Sequence, residues 1–197
     1  MNRPALILAS SSPRRRELLA AAGFVFETVS PDVRERFDVD LSARELALLN
    51  ATRKGIAVAR VRPGKVVLAA DTLVALDGES IGKPADFLDA ARILRRLSGR
   101  IHQVFSAVFV GDPTKKRATA FCDVTHVQFH RLDDSRIAKY LAKIDPLDKA
   151  GAYAAQGYGG DIISEIQGSY SNVIGLPMEE TARVLHEFGI DPTRQPN

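Results

Sequence analysis

Ala5-Leu-Ile-Leu-Ala-Ser-Ser-Ser-Pro-Arg-Arg-Arg16 is the stretch from which the fold follows. Its apolar run, residues 5–9, has no polar alternation, so it reads as a short strand buried on both faces. Ser10, Ser11 and Ser12 then offer hydroxyl caps, and Pro13 suits an early helical position where no N–H is needed. A helix over residues 14–22 follows and stops at Gly23, with a second strand over 24–29. Strand, tight turn, helix and strand in that order open an α/β chain.

Working outward, residues 42–61 predict a longer helix ended by Pro63-Gly64, and residues 66–70 another buried strand. Residues 73–76 and 79–81 flank Asp77-Gly78, a hairpin turn signal. A helix over 85–97 closes at Ser98-Gly99. Strands over 102–111 and 117–131, a helix over 133–143, a glycine-rich loop over 151–160, a strand over 161–167 and a helix over 177–188 complete the series. Parallel crossovers come early and antiparallel pairs in the middle. The expected fold is α/β, a mixed twisted sheet flanked by helices, in a single domain over 1–190 with a polar tail over 191–197.

The chain has 197 residues, 45% hydrophobic and 26% charged, enough for a sizeable core without staples. No apolar run approaches the ~20 residues of a membrane span, and the N-terminal apolar run is too short for a signal peptide. A single cysteine, Cys122, permits no internal disulfide and reads as a buried small hydrophobe. A reducing cytoplasm is therefore expected, with no membrane partner. The net charge of +3 suits an anionic small molecule but does not require nucleic acid.

Four segments carry chemistry. Ser10, Ser11 and Ser12 lie at a helix start with Arg14, Arg15 and Arg16 behind them, where backbone N–H groups, hydroxyls and guanidinium forks favour phosphate. Asp71 ends the apolar run 66–70; it could activate water, bind a metal, or only cap a turn. Lys83, between Gly82 and Pro84, could neutralise phosphate charge or simply be solvated. In the loop Asp148-Lys-Ala-Gly-Ala-Tyr-Ala-Ala-Gln-Gly-Tyr-Gly-Gly160, glycines permit close backbone approach, while Tyr153, Gln156 and Tyr158 offer ring faces and an amide. His126 and His130 share a strand face, but nothing nearby completes a metal-ligand set; His102 and His186 show no special context.

These motifs, with Leu97-Ser-Gly and Gly168-Ser-Tyr…Gly175-Leu-Pro, together resemble the Maf nucleotide pyrophosphatases, in order and through almost the whole chain. The resemblance implies two lobes with a central cleft, similar to the inosine triphosphate pyrophosphatases. It implies Asp71 as general base and Glu35 with Asp71 at a site for a divalent cation, Mg²⁺ or Mn²⁺. It implies Ser10, Ser12, Arg14, Arg15, Lys54 and Lys83 on the phosphate side. The loop sequence is similar to the group hydrolysing dTTP and UTP, in which base choice is assigned to the positions matching Arg14, Thr72 and Gln156. A uracil or thymine edge, with its O4 acceptor beside N3–H, would match the Gln156 amide. A modified nucleotide such as 7-methyl-GTP as substrate, or a non-enzymatic role in septum formation, is the rival expectation. A homodimer is left open.

Overall fold

Strand β1 (Leu6–Ala9) runs parallel to β2 (Phe26–Thr28) on one side and to β3 (Val66–Leu76) on the other, which is why all of its residues are apolar and buried. The computed structural model describes residues 5–37 and 40–193. Its sheet has seven strands in the order β2-β1-β3-β5-β6-β7, with β4 (Glu79–Ile81) also on β3. Strands β5 (Ile101–Asp112), β6 (Arg117–Phe129) and β7 (Ile163–Gln167) are antiparallel to their neighbours, so the sheet is mixed as expected.

Residues 66–70 and 73–76 are not separate strands but one strand, β3, and Asp71 lies inside it rather than at its end. The ladder to β5 runs unbroken through Asp71↔Ala107 and Thr72↔Ser106, so two polar side chains do not interrupt the backbone hydrogen bonds. Because β5 occupies one edge of β3 along residues 67–75, β1 and β4 share the other edge. There β1 stops opposite Ala69, and β4 runs antiparallel from opposite Leu76 to opposite Val74. Between them, at residues 70–73, Asp71 and Thr72 line an opening.

Successive residues of β3 point to opposite faces. On one face Val67, Ala69 and Leu73 pack under α2 (Ala43–Val61) with Leu46, Ala47, Ala51 and Val58. Ser42 and Glu45 close a reciprocal capping box at the start of that helix. On the other face Leu68 and Ala70 lie among Leu19 of α1 (Pro13–Ala21) and Val184 and Leu185 of α6 (Met178–Glu187). Further along that face Val74 and Leu76 join a separate core under α3 (Phe87–Leu97) and α4 (Asp134–Leu141). Thr72 falls between the two cores. These two clusters share one face of the continuous sheet, and the cluster under α2 covers the other.

The short helix α5 (Tyr170–Ile174) has no counterpart in the sequence reading, because five residues carry no helical period. Tertiary bonds set it instead: Asn172 Nδ2 donates to the Val104 carbonyl at 3.0 Å and to Thr125 Oγ1 at 2.9 Å. The segment expected as a tail begins by packing: Thr193 donates its N–H to the Gly23 carbonyl at 2.9 Å. Residues 194–197 lie outside the described residues. Several elements are a little shorter than expected; α4 covers eight residues, and β6 ends before His130.

Candidate active site

The opening beside β3 leads into a cleft of about 310 Å³. Ser10, Ser12, Arg14, Arg15, Glu35, Lys54, Asp71, Thr72, Lys83 and Gln156 all line it. The serine-arginine turn follows directly from β1, and Asp71 sits where β1 has ended, so the topology itself brings them together. Arg16 is exposed and does not line the cleft; only two of the three consecutive arginines do.

On the α2 face, Lys54 Nζ donates to Asp71 Oδ1 at 2.6 Å and to Glu35 Oε1 at 2.7 Å. Asn50, one turn earlier on α2, gives Nδ2 to Asp71 Oδ2 at 3.3 Å. The same amide exchanges bonds with the Arg36 backbone, at 2.9 and 3.1 Å, which fixes the chain carrying Glu35. Lys83 Nζ reaches Glu35 Oε2 at 3.5 Å. Asp71, Lys54, Glu35 and Lys83 thus form an alternating line of charge running from the buried strand to the cleft mouth.

Burial pushes the Asp71 carboxyl above the ordinary carboxylate range, although Lys54 pulls the other way. Glu35 behaves oppositely. Burial would raise it too, but Lys54 and Lys83 together hold it below its ordinary value. The two carboxylates therefore differ in basicity while sharing one ammonium, and the more basic is the deeper.

On the other face of β3, Arg15 donates Nε to the Gly175 carbonyl at 2.8 Å, Nη2 to Thr72 Oγ1 at 3.0 Å and Nη1 to Ser10 Oγ at 3.4 Å. Ser10 Oγ also accepts the Ser12 N–H at 3.1 Å, and Ser12 Oγ caps α1 by accepting the Arg15 N–H. Arg14 crosses the cleft to Asp148, with Nη1 at 2.8 Å from Oδ2. Lys149 also lines the cleft, with Nζ tied to Asp148 and, at 2.6 Å, to the Asp145 carbonyl. Five cations and three carboxylates line this space, a net positive surface suited to a polyanion.

The loop after Asp148 is held down by Tyr153, whose hydroxyl bonds to His102 Nε2 at 2.8 Å. His102, Phe129 and Tyr153 form an edge-to-face trio. Burial pushes the His102 pKa down to about 4, so its imidazole is neutral at physiological pH. Gly151 has φ +73°, and a Cβ there would lie 3.0 Å from Val74, so the close loop-to-strand approach needs glycine. Gln156 lines the cleft and its amide has no partner among the described residues. Tyr158 is exposed and does not line the cleft.

Sequence reasoning missed Asn50, Asp148, Lys149 and the role of His102. Asn50 and His102 sit on buried faces of regular elements, where nothing local distinguishes them. Asp148 and Lys149 lie at the start of the glycine-rich loop, where the glycines, tyrosines and Gln156 are the more distinctive signals. His126 bonds to Gln103 at 3.2 Å, and no group of three metal-ligating residues occurs among the described residues. Cys122 is half-buried, and burial pushes its thiol up to about 11. No helix among the described residues is long and apolar enough to cross a membrane.

Comparison with known proteins places this geometry. The fold alone is shared with the Ham1 protein of Staphylococcus aureus, at a TM-score of 0.52 and 17% identity over 93% of this chain and 98% of that one. A protein of Bacillus velezensis named dTTP/UTP pyrophosphatase is 44% identical over 94% of this chain and 97% of its own length. Proteins of the same name from Anaeromyxobacter dehalogenans and Shewanella denitrificans are 47% and 46% identical, over 94% and 91% of this chain and 95% and 93% of theirs. The family model described as Maf-like protein matches residues 5–188, which takes in every strand and helix among the described residues and the whole cleft. The chain belongs to the Maf family.

Proposed function

We propose that this chain is a nucleoside triphosphate pyrophosphatase, a phosphoric-anhydride hydrolase that cuts dTTP and UTP into the monophosphate and pyrophosphate. The observation that carries the reading is the cleft itself. A buried carboxylate of raised basicity and a serine-arginine turn at a helix N-terminus open onto the same space. The name shared by its relatives supports the nucleotide class.

In this reading water attacks the α-phosphorus and pyrophosphate leaves. Asp71 takes the proton from that water, and its raised pKa brings it nearer the operating pH. Lys54 keeps the carboxylate ionised and oriented. Arg14, Arg15, Lys54 and Lys83 offset the charge that gathers on the phosphates and the leaving group; Ser10 and Ser12 shape the turn that receives them. Glu35 and Asp71 are hard-oxygen donors that already hold one cation, the Lys54 ammonium, between them. That pair would suit Mg²⁺ or Mn²⁺ together with phosphate oxygens, and the metal would supply charge neutralisation there. Gln156, whose amide has no partner among the described residues, would pair with the N3–H and O4 edge of uracil or thymine and mismatch the amino group of cytosine. The lone thiol with no internal partner suits a reducing cytoplasm.

The test is a panel of dTTP, UTP, CTP, dGTP and 7-methyl-GTP with Mg²⁺ or Mn²⁺, with both products quantified. Monophosphate and pyrophosphate should appear in equal amounts, fastest from dTTP and UTP. Release of diphosphate and orthophosphate, or no hydrolysis of any nucleotide, would overturn the proposal.

A further inference from the structure

The motif Gly168-Ser-Tyr…Gly175-Leu-Pro lies far along the chain from the charged side of the cleft, and no step of the reaction above uses it. The structure shows what it touches. Ser106, opposite Thr72 in the β3–β5 ladder, donates its hydroxyl proton to the Asn172 carbonyl at 2.8 Å. A serine hydroxyl has one proton. With that proton committed, the 2.9 Å contact between Thr72 Oγ1 and Ser106 Oγ has Thr72 as donor. Thr72 Oγ1 in turn accepts from Arg15 Nη2 at 3.0 Å. The hydrogen bonds therefore run one way, from Arg15 to Thr72 to Ser106 to Asn172.

The far end of this chain is rigidly held. Asn172 gives both amide protons to the sheet, to the Val104 carbonyl and Thr125 Oγ1. Thr125 Oγ1 also accepts the N–H of Ser169. At the other end of α5, the Gly175 carbonyl takes Arg15 Nε. Gly175 has φ +123°, and a Cβ there would lie 3.2 Å from Thr72 Oγ1 and 3.5 Å from Arg15 Nε. Any side chain at that position would press on the junction between Arg15 and Thr72.

Two consequences follow. Arg15 has three N–H groups engaged by protein, which leaves one on each of Nη1 and Nη2 for a ligand, in a guanidinium whose plane is already set. Thr72 has one proton, and protein acceptors hold it, Ser106 Oγ at 2.9 Å and the Gly175 carbonyl at 3.4 Å. Resting on the pyrophosphatase reading above, we infer that Thr72 is a positioning residue for Arg15, through a hydrogen-bond chain anchored in residues 169–175.

The experiment compares Thr72→Val, Thr72→Ser and Ser106→Ala with the wild type on the nucleotide panel, with inhibition by inorganic pyrophosphate measured alongside. Thr72→Val keeps shape and removes the link to a charged donor, so kcat/KM should fall about ten- to hundredfold on every nucleotide. Pyrophosphate should inhibit more weakly, because the guanidinium that would meet it is no longer held in place. Thr72→Ser, which restores the hydroxyl, should recover most of the loss. Ser106→Ala should reproduce the uniform loss in milder form. Unchanged kcat/KM in Thr72→Val, or unchanged inhibition by pyrophosphate, would overturn the inference. So would a uniform loss that Thr72→Ser fails to recover in a variant melting like wild type. If the wild type hydrolyses no nucleotide, the pyrophosphatase reading fails first, and pyrophosphate binding by the same variants, read by calorimetry, still tests the Arg15–Thr72 link.

Discussion

Asp71 and Thr72 are adjacent on one strand, point to opposite faces of it, and sit in surroundings built on different principles. Around Asp71, charge is answered by charge: Lys54 bridges to Glu35, and Glu35 meets Lys83. Around Thr72, a single guanidinium is held by neutral hydroxyls and a carbonyl. Removing one partner of a buried ion pair costs several kcal/mol, whereas a hydrogen bond from a charged donor to a neutral hydroxyl contributes about 1.5–3 kcal/mol net. The first face is therefore reactive and intolerant of losing a partner. The second fixes geometry and fails by degrees. The open edge of β3 lets both faces serve one cleft.

The largest break in this contrast is Asp71→Asn. The amide keeps the shape and removes the proton acceptor, so pyrophosphate release should fall by about 10²–10⁴. A loss below about tenfold would remove Asp71 from the role of base.

Lys54→Met comes next, and its signature is in pH. The Asp71 carboxyl lies above its ordinary range because burial outweighs Lys54. The base must be ionised, so the rate falls as pH drops through that raised value. Without Lys54 the lowering influence is gone, and the acid limb should move to higher pH. Above the limb a loss of about ten- to hundredfold should remain from the missing positive charge. Stability should show the same sign. A carboxyl whose folded pKa is raised binds protons more readily when folded, so the variant should gain thermal stability as pH falls from neutral. An acid limb that stays in place would mean that Lys54 does not govern Asp71.

The two faces also differ in how far the sequence revealed them. The apolar run of residues 66–70 made β3 a buried strand, and the order of elements implied a mixed sheet. The polar pair Asp71–Thr72 looked like the end of that strand because a local pattern cannot show that β5 continues the ladder past it. Asp71, Lys54 and Glu35 come from three separate segments, and only the resemblance to relatives linked them in advance. Gly175 is visible as a motif letter without a mechanism and Asn172 falls in the gap of that motif, since a five-residue helix carries no period and its role depends on Thr125, Ser106 and Arg15. Long-range partners set those residues, and no window of sequence contains them.

Gln156→Ala sharpens the comparison at the base end. Its amide has no protein partner among the described residues, so truncation should change stability by no more than about 0.5 kcal/mol. The ratio of kcat/KM for UTP over CTP should drop about tenfold, through loss of a base-edge hydrogen bond, while the best rate falls less. Equal losses on UTP and CTP would assign base choice elsewhere.

The smallest effect belongs to Asp148→Ala, which cuts the contact across the cleft mouth. Arg14 and Asp148 pair at 2.8 Å, but their side chains are 23% and 48% exposed, so water and salt weaken the attraction. The variant should lose no more than about 1 kcal/mol in a denaturant titration, and less at high salt. The Asp148 carboxyl lies below its ordinary value because the bonds from Lys149 and Arg14 outweigh the effect of burial. Its contribution is therefore present above the unfolded-state value and lost as pH falls through the folded one, so wild type and variant should converge in acid. Arg14 and Lys149 are both released toward the substrate by this change, and kcat/KM should move by no more than about threefold. A loss as large as that of Lys54→Met would show that the cleft mouth is held as tightly as its buried floor, and would erase the distinction between an ionic interior and a screened rim.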